Sequence, residues 1–472
     1  LFQGLSSAIS GLYTNKKALD TVSHNIANSN NPYYVRQDVI QASNGYTNVV
    51  GANGQIGSGV KIADIRQIRD RFLDQRFRNE ADNKGYFDAR YSIFSQVEEI
   101  MNEPTDVGLS EVMDGLWNSF DELSKDPDNL TVRGMVRERA IAFVETVSHM
   151  SNQLSLLQVN LNKEISNKVE EINMISKDIA KLNGLITQSE ATGVKANDLR
   201  DKRNALIDRL SLNININAVN KQNGSVDIYI GGRSLVSEEN AREMEAKIVD
   251  NSFFDITWKN SNNSKVEISG GYLKGILESR GEFDSKDETY SSIIPSVKNR
   301  LDKFVNVVAT KINEIHKKGV TLLGEPGQDF FVSKRNGSEI DASTIKLNDN
   351  LDTLNNIVAS SSGDRGDGSI AKEIMDLRDL AIFENQTADN YYRSIISDMG
   401  VEANRSMIML ETHNTIIQNI QNSRYAVSGV SMDEEMANML KFQHSYTANS
   451  RVVNAIDEMI ENVVNKMGRV GN

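Results

Sequence analysis

Hydrophobic residues recur at every seventh position near both ends of this 472-residue chain. Near the start, Leu5, Leu12, Leu19 and Ile26 keep that interval, reinforced by Ala8, Ile9 and Val22. Near the end, Met432, Met439, Tyr446, Val453, Ile460 and Met467 keep it too, with Phe442, Ile456 and Val463 in a flanking register. A repeat of about 3.5 residues marks helices that supercoil against partners. It predicts terminal helices over about 5–28 and 431–467, the second opened by Ser431 and Glu434 at capping-box spacing and closed by Gly468. Periodicity alone leaves two outcomes open: the seams form the core of one bundle, or they meet neighbouring chains. Asn449, Ser450 and Asp457 interrupt the second seam, so it is not a simple two-stranded zipper.

Between the ends the pattern changes three times. Residues 33–65 mix Val35, Val39, Ile40, Val60 and Ile62 with five glycines, which predicts short extended segments and turns. Helical spacing then runs from Ile65 to about Asn102, from Leu109 to Ser124, from Met135 to Asn183 and from Ala196 to Leu210. The third of these is free of glycine and proline and would reach roughly 70 Å. Period-two alternation follows over 211–274, in Ile214/Ile216, Val226/Ile228/Ile230, Phe254/Ile256/Trp258 and Val266/Ile268. Helix resumes over Tyr272–Arg280, Pro295–Lys318, Ile370–Phe383 and Tyr391–Ser428, with a strand expected at Ile345–Leu347.

The expected fold is multidomain and mainly α with a β insert. Residues 1–64 and 430–472 make a terminal helical assembly domain. Residues 65–210, 272–318 and 370–429 make a long-helix bundle, 211–271 a small antiparallel β domain, and 319–369 a mixed segment attached to it. Nesting of this kind brings the two chain ends to one pole.

Composition narrows the function classes. A net charge of −13 leaves no basic surplus for nucleic acid. No run of 18 apolar residues predicts a membrane span, and the first residues lack the basic and apolar regions of a cleaved signal. The absence of cysteine excludes disulfides and thiolate sites. Five prolines suit long helices.

The segment 12–37, LYTNKKALDTVSHNIANSNNPYYVRQ, carries the element Asn25, Ile26, Ala27, Asn28 followed by Tyr34 and Arg36. It resembles the N-terminal signature of bacterial flagellar rod, hook and hook-associated proteins. It departs from the pattern at Tyr33, where glycine is usual, so a different turn is expected there. Further segments, among them 72–80, 98–114, 196–211, 270–280, 312–324 and 434–467, narrow the resemblance to members at the hook–filament junction. The resemblance implies a non-enzymatic, extracellular axial component of the flagellum that self-assembles helically through its terminal helices. It also implies partners: the hook protein, a second junction protein on the filament side, and an export chaperone at the C-terminal helix. The implied alternatives are another hook or rod-type axial protein, or a surface-binding module acting through the β domain. Terminal seams that cannot be covered within one chain are expected to stay unordered until neighbours arrive.

Other motifs point to less. Arg365-Gly366-Asp367 could be an adhesion loop, but a turn is the simpler reading; no glutamate falls where a calcium loop needs one. The glycines from Gly54 to Gly59 lack the lysine and helix of a phosphate loop. His24, His149, His316, His413 and His444 are too scattered to suggest a metal. No catalytic, cofactor or metal residues are predicted.

Overall fold

The computed structural model describes residues 2–48, 55–101, 108–249, 253–261, 264–281, 292–335 and 337–466. Helix α1 (Phe2–Ala27) leads into strands β1 (Gln37–Ser43), β2 (Tyr46–Asn48), β3 (Gln55–Gly57) and β4 (Val60–Gln67). Strand β1 pairs antiparallel with β4, and β2 with β3. Helices α2 (Arg71–Met101), α3 (Leu109–Lys125), α4 (Leu130–Glu190) and α5 (Asn197–Asn213) follow. Strands β5 (Asn217–Asn220), β6 (Val226–Ile230), β7 (Arg233–Ser237) and β8 (Asn240–Ala241) form a meander. The hairpin of β9 (Met244–Val249) and β10 (Phe253–Trp258) lies beyond it. Helices α6 (Gly271–Arg280) and α7 (Ile293–His316) lead to the pair β11 (Phe331–Ser333) and β12 (Ile345–Leu347). Helices α8 (Ser369–Asp376), α9 (Ala388–Ser428) and α10 (Met432–Lys466) complete the chain.

The molecule is mainly α with a β insert, as the hydrophobic pattern predicts. Several boundaries differ for physical reasons. Residues 65–67 continue β4 because Ile65 and Arg66 pair with Val39 and Asp38. Helix α2 starts only after Asp70, whose carboxylate accepts the Phe72 N–H at 2.8 Å. Helix α4 runs 61 residues, about 90 Å. Val266 joins Ile256 by one backbone bond of 2.9 Å, so the expected last strand is a bridge. Helix α8 stops at Asp376; Phe383 instead stacks on Tyr391 with ring centroids 4.3 Å apart.

One buried hydrophobic cluster runs from Ala89 on α2 through α4 and α7 to Ala403 on α9, taking in Ile228, Trp258 and Phe331 from the sheets. Among the described residues, none from α1, β1–β4 or α10 belongs to it.

Sheets dock on helices through asparagines. Asn173 accepts the N–H and donates to the C=O of Met244, at 2.9 and 2.7 Å. Asn183 does the same to Val226 (3.1 and 2.8 Å), and Asn313 to Phe331 (2.8 and 2.7 Å). Asparagine is a mediocre helix former, but its carboxamide matches the edge of a strand. Buried arginines reinforce these joints. Arg203 donates to Asn183 Oδ1 (2.9 Å) and Gly224 O (2.7 Å), and Arg280 to Asn162 Oδ1 (2.7 Å) and Phe254 O (2.9 Å).

Candidate assembly surface

Helices α1 and α10 pack antiparallel. Asn25 faces Glu435, a Cβ added to Gly11 would lie 2.6 Å from Asn449 Oδ1, and one added to Gly4 would lie 3.4 Å from Ile456 Cδ1. Fourteen residues along α1 are matched by fourteen along α10, and the next seven by seven, so the register never slips. The face that α1 buries is small and polar: Ala8, Gly11, Asn15, Ala18, Val22 and Asn25. Asn449, which breaks the hydrophobic seam in sequence, sits in the notch left by Gly11. Residues 2–27 and 432–466 are therefore helices that cover one another in part.

The predicted seam residues divide. Val22 and Ile456 are buried. Leu5, Leu12, Leu19, Ile26, Met439, Phe442, Val453 and Ile460 are half-buried beside the interface. Ile9, Met432, Tyr446 and Val463 are exposed, and Met467 lies outside the described residues, as does Gly468. Among the described side chains of α10, only Glu435 and Ile456 are buried, whereas Met436, Leu440 and Met459 are each more than half exposed. The heptad pattern thus identified the helices and part of the face they share, through Ala8, Val22 and Ile456, whereas Gly11, Asn25, Glu435 and Asn449 are residues that hydrophobicity overlooks.

The motif residues converge behind this pair. Asn25 is 1% exposed. Its Oδ1 accepts the Tyr34 hydroxyl (2.7 Å) and the Gln37 N–H (3.0 Å), and its Nδ2 donates to Gln37 O (2.9 Å) and Glu435 Oε2 (3.0 Å). Arg36 Nε donates to Glu435 Oε1 at 2.8 Å and Nη1 to Glu434 Oε2 at 2.6 Å. Glu434 is therefore committed to Arg36, although its own N–H still meets Ser431 Oγ at 3.5 Å. Asn28 closes the helix end by donating to His24 O at 2.9 Å. Ile26 is half-buried and Ala27 exposed. Tyr33 does not need the glycine usual in the pattern: its φ is not positive, and its N–H donates to Asn31 Oδ1 at 3.1 Å. Burial, then the Asp198 and Asp201 charges, push the Tyr34 hydroxyl pKa up.

Polar bonds tie this layer to the body. Gln37 Nε2 donates to Asp198 (2.9 Å), while the Val35 N–H and Gln67 Nε2 donate to Asp201 (3.1 and 2.6 Å). Burial pushes Asp201 up to about 7, against the pull of the Val35 N–H, Arg69 and Gln67. An ion-pair chain continues from Arg69 to Asp74 (2.5 Å), Arg424 (2.6 Å), Asp208 (2.9 Å) and Arg78 (2.7 Å).

The remaining motifs serve the fold. Although desolvation opposes it, Asp367 is held well below the usual carboxylate range by hydrogen bonds from Ser360, Ser369 and Ser361 within its own loop. Gly59, at φ +103°, lies against Ser10 of α1; Gly54 lies outside the described residues. His316 is fully buried and links the Gln328 carbonyl to the Val358 N–H. Among the described residues, no three His, Asp or Glu side chains are grouped to hold a metal, and no helix is long and apolar enough to cross a membrane.

Residues 94–331 match the family described as flagellar hook-associated protein FlgK helical domain, and residues 421–467 match flagellar basal body rod FlgEFG protein C-terminal. Flagellar hook-associated protein 1 of Bacillus subtilis (strain 168) is 32% identical across 99% of this chain and 98% of its own length. The chain belongs to the flagellar hook-associated protein 1 family. The same protein of Escherichia coli (strain K12) is 23% identical across 98% of this chain and 99% of its own length. The fold is shared with the flagellar hook junction protein FlgK from Burkholderia pseudomallei, with a TM-score of 0.65 at 12% identity over 75% of this chain and all of that one. This family makes structural axial components of the flagellum, and the protein is one of them.

Proposed function

We propose that this protein joins hook to filament by packing the outer faces of α1 and α10 against neighbouring copies, forming the inner layer of a helical tube. One observation carries this reading. Helix α10 is 35 residues long, yet among its described side chains it buries only Glu435 and Ile456, and it displays Met436, Leu440, Val452, Met459 and Val464 to solvent. Apolar side chains exposed along a helix of that length make an interaction surface. Head-to-tail contacts that do not close generate helical assemblies.

In this reading, residues 1–64 and 430–472 form the inner layer. Residues 65–210, 272–318 and 370–429 form the surrounding body, with 211–271 facing outward and 319–369 attached to it. The hook protein meets one side of the ring and a second junction protein the other. Before assembly an export chaperone covers α10, whose methionines suit an adaptable partner, and the chain leaves the cell through the flagellar export apparatus. The test is a chain carrying Met436→Asp, Leu440→Asp and Met459→Asp. Its monomer should melt within about 2 °C of the wild type, because exposed substitutions cost little, while cells carrying it should shed their filaments. Normal filament attachment would overturn the proposal.

A further inference from the structure

Asn25 and Arg36 of the motif do not lie among the exposed apolar residues; they converge on one carboxylate. Glu435, in the first turn of α10, is 1% exposed and takes hydrogen bonds from Asn25 at 3.0 Å and Arg36 at 2.8 Å. Both donors are fixed. The Tyr34 hydroxyl and the Gln37 N–H occupy the Asn25 oxygen, so only its NH2 can face α10. The Arg36 backbone donates to Ser428 O at 2.9 Å and accepts from the Ile68 N–H at 2.8 Å. The rest of the α1 face is made of small residues at near-heptad intervals, Ala8, Gly11, Ala18 and Val22 among them. Such a face meets similar chemistry again after sliding by seven residues, so apolar contact alone does not choose its register.

We propose that Glu435 is the register-determining residue of the terminal helix pair, with Asn25, Tyr34 and Arg36 forming its socket. Sliding α10 one way places Phe442 opposite Asn25 and carries Glu435 past the end of α1. Sliding it the other way sets Glu435 beside Ala18, away from Arg36. Each slip separates a charge from its partner. A buried polar residue that fixes the register of paired helices is a well-attested use of such groups. The consequence for assembly rests on the reading of the previous subsection: register decides which exposed residues of α1 and α10 come level to meet a neighbour.

The chain has no cysteine, so introduced pairs report register cleanly. Gly11→Cys with Asn449→Cys reports the native register. Ala18→Cys with Asn449→Cys, and Gly4→Cys with Asn449→Cys, report the two slips. In the soluble full-length monomer, only the native pair should cross-link. With Glu435→Ala or, as a second variant, Arg36→Gln, the native cross-link should fall and a slipped one appear, with melting of the body unchanged. Two results overturn the proposal: native cross-linking at the wild-type level in both variants, or loss of every cross-link, which would make Glu435 a fastener and not a register pin. Filament attachment by the same variants separates the two ideas. Native register with lost filaments removes the pin and leaves the assembly reading; slipped register with normal filaments keeps the pin and removes the assembly reading.

Discussion

Single polar side chains do much of the organising. Asn25, Asn173, Asn183 and Asn313 each bind both backbone groups of one residue on a neighbouring segment. Removing such a group strands buried donors and acceptors, each worth about 1–3 kcal/mol. Asn313→Ala should therefore lower unfolding free energy by about 3 kcal/mol in urea titrations, and half-buried Asn173→Ala by less. His316 makes a second prediction. Its Nε2 accepts the Val358 N–H, so the ring proton is on Nδ1, and burial pulls its pKa down to about 4. Below the ordinary value of about 6.5 the unfolded chain takes up a proton that the folded one refuses. Its contribution to stability should thus fall as pH drops from about 6.5 to 4, by up to roughly 3 kcal/mol. His316→Gln should flatten that part of the stability–pH curve.

At the scale of elements, long periodic runs were legible, whereas part of the contact face of the terminal pair was not. Helices α4, α7 and α9 follow directly from apolar spacing. Strands β7 and β9 did not announce themselves, because Arg233–Ser237 and Met244–Val249 show no clean alternation and owe their place to pairing with β6 and β10. In the terminal pair the heptad located α1 and α10, whereas the contact face needed the notch at Gly11, which only the facing Asn449 explains. Gly11→Ala should therefore push the helices apart, speeding hydrogen exchange along α1 despite alanine's better helix propensity. The double change Gly11→Ala with Asn449→Ala should recover most of that protection.

Across the whole molecule, one hydrophobic cluster unites the bundle, the sheets and the 319–369 segment, and it stops short of the terminal layer. Polar bonds centred on Asp198 and Asp201 hold that layer instead. Such a joint opens at lower free energy than the core, so amides of β1, β4 and α1 should exchange before those of α4 in native-state deuterium labelling. Ile228 and Trp258, from the 211–271 segment, share the cluster with α4. The antiparallel meeting of Gly4 with Ile456 also sets how the molecule yields to force. The start of α1 and the stretch of α10 around Ile456 lie at the same end of the antiparallel pair. A pull on either end therefore loads one contact at a time and peels the hairpin apart, instead of shearing all its contacts at once. Stretched between Gly4 and Ile456, the molecule should release these two helices at low force and only later surrender the body. A chain drawn end-first into a narrow passage would come undone in the same order.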